Sequence, residues 1–191
     1  MPSAPERVIV IIDGSNFYHG LKHPEFGFHQ TLKFDYRKFS EWLADGRKIV
    51  GCFYYVGVVS KVRDDPKSQK MVSDQQRLFS YLKSAPQDFG IIGGRMMQHD
   101  GGYKEKGVDV QIALDIFEKA VDDVYDTLIL VSSDTDLVPA VQKVRQRFDK
   151  KVEYVGFSHS QSFGMTKACN ITKLLVRPEL EKFLPKTLFA S

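Results

Sequence analysis

The densest chemical signal in this chain is Ser132-Ser133-Asp134-Thr135-Asp136, which directly follows the aliphatic run Leu128-Ile129-Leu130-Val131. The run is short and apolar enough for a strand buried on both faces. An amphipathic helical pattern follows at once, from Leu137 to Phe148. Two carboxylates between a buried strand and a helix lie at the carboxyl edge of a sheet, where open α/β sheets bind ligands. Each also has a plain structural reading. Asp136 precedes Leu137-Val138-Pro139 and suits a helix N-cap, and Asp134 is an ordinary loop residue after a strand.

Asp13 repeats the pattern. It ends the β-branched run Val8–Ile12 and leads into Gly14-Ser15-Asn16. Gly14 permits a tight turn, and Ser15 or Asn16 can cap a helix starting near Phe17. Asp109 carries a different signal. At about 100° per residue, Ile112, Ala113, Ile116, Phe117 and Ala120 form one apolar arc, and Asp109 falls inside it. A carboxylate on a buried face costs several kcal/mol, on the order of the burial penalty of an unpaired charge, unless it is paired or binds metal. In a parallel sheet all four acids would meet at one edge. Their mutual repulsion calls for a counter-ion, and hard oxygen donors suit Mg²⁺ or Mn²⁺, unless some carboxyls are protonated.

The elements that must position these acids alternate regularly. Strand patterns over Val8–Ile12, Lys48–Val59, Phe89–Gln98, Leu128–Val131, Lys151–Phe157 and Ile171–Val176 are separated by helical patterns. The helices are expected near Phe17, after Asp35, over Ser68–Leu82, Val108–Ala120, Leu137–Phe148 and Ser162–Asn170, with a last turn over Pro178–Leu184. Tyr103–Lys106 reads as the return arm of a hairpin turning at Asp100-Gly101-Gly102. This alternation predicts an α/β fold with a mostly parallel sheet covered on both faces.

The matching segments also carry a resemblance. Val10-Ile11-Ile12-Asp13-Gly14-Ser15-Asn16, then Lys106-Gly107-Val108-Asp109-Val110 with Leu114-Asp115, then Leu130 to Asp136 follow the order found in NYN-domain proteins of the LabA-like group. These proteins lie within the PIN-like nuclease superfamily. The resemblance spans residues 7–176 and leaves 177–191 as a C-terminal extension. It implies a PIN-like three-layer sandwich and a Mg²⁺- or Mn²⁺-dependent ribonuclease site. Asp13, Asp109, Asp134 and Asp136 would be its catalytic, metal-binding acids. Asn16, Ser132, Ser133 and Lys106 would contact RNA, single-stranded RNA being favoured. Relatives carry a further acid near the end of a short helix after the fifth strand. With Asn170 in that place, one carboxylate would be a neutral amide. An RNA- or protein-binding module with a degenerate site is the corresponding alternative, and a homodimer is a family-level expectation.

Composition sets wider bounds. The chain has 191 residues, 42% hydrophobic and 27% charged, with a net charge of +3. That suits one soluble globular domain and neither argues for nor opposes nucleic-acid binding. Cys52 and Cys169 have no short spacing, so a reducing cytoplasm is the expected setting. No stretch approaches the ~20 apolar residues of a membrane span. Lys143, Arg145, Arg147, Lys150 and Lys151 form one basic cluster and Arg63, Lys67 and Lys70 another; either has the charge to contact RNA phosphates, though Lys143–Arg147 reads as a solvated helix face. Phe17, Tyr18 and Tyr103 have the chemistry to stack bases, though aromatics near strand ends are usually core. His19 and His23 share i, i+4 spacing but lack a third ligand at zinc spacing, and His159 is isolated. Asp134-x-Asp136 also fits a haloacid-dehalogenase phosphatase motif, which would leave Asp13 without a role and only a short chain after Asp136.

Overall fold

A computed structural model describes residues 4–28, 31–59, 65–99 and 102–185, and the side chains of 97–99 and 102–105 are outside that description. Strands β1 (Arg7–Asp13), β2 (Lys48–Val58), β3 (Gly90–His99), β4 (Gly102–Lys106), β5 (Thr127–Val131), β6 (Lys151–Phe157) and β7 (Ile171–Leu175) form one sheet. Its order is β4-β3-β2-β1-β5-β6-β7. Six of these strands run parallel, and β4 returns antiparallel along the β3 edge. The hairpin expected around Tyr103–Lys106 is therefore present, while Asp100 and Gly101 lie outside the described residues.

The helices are α1 (Gly14–Lys22), α2 (Tyr36–Ala44), α3 (Pro66–Leu82), α4 (Val108–Val121), α5 (Val138–Phe148), α6 (Phe163–Ala168) and α7 (Arg177–Leu180). They cover the sheet on both faces because β1 is apolar on both. Val8, Val10 and Ile12 join Phe17, Phe39, Leu43 and Leu180 in one core. Ile9 and Ile11 join Ile112, Ile116, Val141, Val144 and Met165 in the other. This is a three-layer α/β sandwich. Residues 177–185 pack onto it, since Phe183 meets Phe34, Phe39 and Trp42.

Local chemistry sets the helix starts. Asp35 accepts the Lys38 N–H and Asp65 accepts the Lys67 N–H, so Asp65 starts α3 at Pro66, two residues before the expected Ser68. The first helix also starts early. Asp13 itself is the N-cap, its Oδ1 accepting the Asn16 N–H at 3.0 Å, in place of Ser15 or Asn16. Gly14 then opens the helix directly, without an intervening turn.

The chain winds outward from β1 in both directions, first through β2 and β3, later through β5, β6 and β7. The order reverses between β1 and β5, which opens a crevice at the carboxyl ends of those two strands. Ile12 pairs with Val131, so the next residues, Asp13 and Ser132, leave the sheet side by side.

Asn170 falls at the other edge. Its backbone N–H donates to the Val152 carbonyl at 2.8 Å, and its side-chain Oδ1 accepts the Val152 N–H at 2.9 Å. Val152 is near the start of β6, so Asn170 pins the amino ends of β6 and β7. The expected substitution of a site acid by Asn170 is thus corrected: this residue is a sheet-edge clamp remote from Asp13 and Ser132. Asn170→Ala should cost about 1 kcal/mol, the net worth of one hydrogen bond. Measured by thermal melting and by RNA cleavage, the loss should appear in the melt and leave cleavage within about twofold.

Candidate functional site

The crevice between β1 and β5 opens into a cavity of about 640 Å³ whose lining includes Asp13, Asn16, Asp109 and Asp134. Three of the four expected acids therefore share it, each brought by a different element. Asp13 ends β1 and is only 4% exposed. Asp134 follows β5 and caps the 3-10 turn Thr135–Leu137, its Oδ1 accepting the Asp136 N–H at 2.8 Å. Asp109 lies in the first turn of α4, half-buried, where the helix dipole favours a carboxylate. Gly107 in the left-handed conformation (φ +80°) starts that helix and turns the chain out of β4. Asp136 is not with them. It is exposed, lies outside the cavity lining, and spends its backbone N–H on the cap.

The serines act from behind the wall. Ser132 is buried, and its hydroxyl donates to Asp13 Oδ2 at 2.9 Å while accepting the Asp134 N–H at 3.2 Å. One hydroxyl has one proton and two lone pairs, so it serves both bonds at once. It thereby ties the Asp13 carboxylate to the Asp134 backbone, while the Asp136 N–H holds the Asp134 carboxylate. Ser133 donates its N–H to Asn16 Oδ1 at 3.2 Å, and its hydroxyl shares a 2.8 Å hydrogen bond with that of Tyr154. With Asn16 Oδ1 occupied, the amide NH₂ of Asn16 is the group left to serve the cavity. Lys106 is exposed at the end of β4 and outside the lining.

Three imidazoles that the sequence does not link to the acids join the site. His19, His23 and His159 line the same cavity. His23 and His159 stack at 3.9 Å between centroids, 9° from parallel. His159 Nε2 lies 3.3 Å from the Gly20 carbonyl. A carbonyl only accepts, so Nε2 carries the proton. Burial, together with the neighbouring His23, holds the His159 imidazole below the usual histidine range despite that bond. The approach depends on Gly20, where a Cβ would stand 2.1 Å from the Phe157 ring. The i, i+4 spacing of His19 and His23 was a usable signal for a shared helix face. Nothing local links His159 to them.

The remaining candidates separate cleanly. Phe17 is fully buried and Tyr18 is 42% exposed. Burial pushes the Cys52 thiol up to about 11 and the Cys169 thiol up to about 12, so neither is a ready nucleophile. Lys143 and Arg147 are solvated as expected, while Arg145 is half-buried and donates to the Ala168 carbonyl. Lys150 is not solvated: it is buried and paired with Asp123, at the edge of the sheet away from the cavity. Arg63 and the side chain of Tyr103 lie outside the described residues. A second buried acid, Asp115, accepts the Tyr55 hydroxyl at 2.5 Å and the Gln111 amide at 2.9 Å, which ties α4 to β2.

Among the described residues, no three His, Cys, Asp or Glu side chains stand close enough to enclose an ion. A closed protein shell is not what Mg²⁺ requires. It usually keeps several waters and uses one or two carboxylates. The Asp13–Ser132–Asp134 unit supplies two carboxylates of that kind, all oxygen donors, and fits such an ion or Mn²⁺. It does not fit zinc, which takes four N, S or O ligands in structural sites.

A sandwich of this order with acids at its switch point has the build of a PIN-like nuclease. The chain belongs to the NYN family: the NYN domain model matches residues 7–174. NYN domains lie within the PIN-like nuclease superfamily. The chain also resembles the crystal structure of a protein of unknown function from Vibrio parahaemolyticus, with a TM-score of 0.61 and 23% identity over 92% of this chain and 97% of that one. At that identity the likeness concerns the fold alone. The comparison with curated proteins gives no match. Among the described residues, no helix is long and apolar enough to cross a membrane.

Proposed function

We propose that the protein is a Mg²⁺- or Mn²⁺-dependent ribonuclease that hydrolyses phosphodiester bonds of single-stranded RNA. The observation that carries this reading is that Asp13, Asp109 and Asp134 line one cavity at the sheet's switch point, with Ser132 tying the Asp13 carboxylate to the Asp134 backbone. Asp13 and Asp134 would hold the ion, and Asp109 shares the cavity lining with them. When bound, such an ion lowers the pKa of water and stabilises charge developing on phosphoryl oxygens. The chain's own part is positional. Asn16, its Oδ1 already engaged by Ser133, offers its amide N–H groups to a phosphate oxygen. His19 and His23, further along the same helix, add imidazole groups to the cavity lining. A cytoplasmic setting belongs to the same reading, supported by two buried cysteines without a disulfide.

The alternative of an RNA- or protein-binding module with a degenerate site was motivated by Asn170, which bonds Val152 at the amino end of β6; RNA bound but uncut in either metal would favour it. A haloacid-dehalogenase reading is disfavoured too, because Asp136 stands outside the cavity and Asp13 within it.

The test is cleavage of an end-labelled single-stranded RNA by the full chain in Mn²⁺ or Mg²⁺. Cleavage is expected with either ion and should disappear with excess EDTA and return on adding the metal back. Cleavage that survives EDTA, or an RNA left intact in both metals, would overturn the assignment.

A further inference from the structure

Helix α1 separates two recesses, and its surface explains why. At about 100° per residue, its positions fall into ordered stripes around the axis. Gly14 and Tyr18 form one stripe, Ser15 and His19 the next, and Asn16, Gly20 and His23 the third. The third stripe lines the acidic cavity. The first lines a different cleft, of about 250 Å³, set between α1 and α3. Ser15 and His19 line both and form the crest between them.

We propose that this second cleft seats a nucleobase of the RNA strand whose phosphate lies among the acids. The proposal rests on the ribonuclease reading above and names the part of the substrate that the acids do not contact. Three features of the cleft fit a base. Its wall is mainly apolar and aromatic, with Tyr18, Leu32, Val56, Met71 and Leu78. Its volume lies below the ~300–1,000 Å³ of pockets that enclose whole drug-sized ligands, so it suits one ring system more than an entire nucleotide. Asp74 also lines it, an acceptor for the exocyclic or ring N–H groups that bases present on their edges.

The lip points the same way. Tyr18 is 42% and Leu32 39% exposed, so an aromatic and an aliphatic side chain flank the entrance. Exposed apolar residues scattered singly need no explanation. These two border one apolar cleft that runs over a shared crest into the proposed catalytic cavity. The Lys22 ammonium lies over one face of the Tyr18 ring, 4.6 Å from its centroid, which leaves the other face for a base and puts a cation near the sugar-phosphate chain. A strand crossing the Ser15–His19 crest would place a phosphate on one side and the neighbouring base on the other.

The experiment compares single-stranded oligoribonucleotides of one sequence in Mn²⁺, each with one abasic residue stepped through the positions around the cut bond. The phosphates are unchanged, so loss of a metal-site contact does not enter. For the wild type, one abasic position should lower kcat/KM about tenfold, within the range for a single base–aromatic stack. Tyr18→Ala should abolish that dependence and Tyr18→Phe should keep it. Leu32→Glu, which sets a carboxylate at the lip, should weaken it without touching the acids. Equal cleavage at every abasic position, or full base dependence in Tyr18→Ala, would overturn the cleft while leaving the ribonuclease reading intact. The converse is read by binding. A 2-aminopurine-substituted RNA in EDTA should be quenched by the wild type and not by Tyr18→Ala. That result with an uncut RNA would sink the nuclease reading and uphold the cleft, and an RNA neither cut nor quenched would sink both.

Discussion

Asp13→Asn is expected to lower RNA cleavage in Mn²⁺ by about 10²- to 10³-fold, the scale seen when one preorganised charge-stabilising group is removed. Stability should hardly change. The Asp13 side chain caps α1 by accepting the Asn16 N–H, and asparagine caps a helix about as well as aspartate. The remaining cost is at Oδ2, where the Ser132 hydroxyl donates. An amide NH₂ in that place would face a proton, and the hydroxyl would have to turn, at about 1 kcal/mol for one exchanged hydrogen bond. Asp134→Asn should behave alike, since its Oδ1 need only go on accepting the Asp136 N–H. Asp136→Asn, outside the cavity, should have a much smaller effect. Rates on labelled RNA beside thermal melts separate these outcomes. Mutants of Asp13 and Asp134 that cut as fast as wild type would show that the activity belongs elsewhere.

The contrast among these acids shows what the sequence reveals and what it leaves out. Asp13 and Asp134 were legible because a parallel sheet sends the residue after every buried strand to one edge, and both follow aliphatic runs. Asp109 was legible from the helical arc it interrupts, and that arc is real: Ile112, Ile116 and Ala120 are buried. Asp136 read as an equal of Asp134. A 3-10 turn between strand and helix, which periodicity does not register, leaves it outside the cavity lining.

Long-range placement was harder. His159 reaches His23 only because β6 lies two strands from β1 and Gly20 lets the Phe157 ring approach α1. No pattern within a dozen residues of His159 encodes that meeting. Asn170 is the opposite case, since a physical rule was available. A crossover helix carries the chain from the carboxyl end of one parallel strand back to the amino end of the next. A residue just before β7 must therefore sit at the edge away from the acids. Chain order alone, read from a resemblance, does not apply that rule.

Phe17→Ala should be among the most damaging single changes to stability, although Phe17 never touches the cavity. The ring is fully buried and meets Phe34, Tyr36, Phe39 and Phe157 at centroid separations of 5.3–6.0 Å. Truncating a buried phenylalanine to alanine costs about 3–5 kcal/mol, part of it lost transfer energy and part the cavity left behind. At roughly 2–4 °C per kcal/mol for a domain of this size, the melting temperature should fall by about 6–20 °C. The consequence extends to the site, because Phe17 seats the helix whose N-cap is Asp13 and whose next turns carry Asn16, His19 and His23. Its four aromatic neighbours come from the loop before α2, from α2 and from β6, so the ring, with Leu21, anchors α1 against the sheet. At a temperature where the mutant remains folded, we expect a rise in KM and a fall in kcat together, since Asn16 and the histidines would be held less firmly. Phe17→Leu refills most of the space and should recover most of both. A mutant that melts early yet cuts RNA with unchanged constants would show that α1 is positioned by its cap alone.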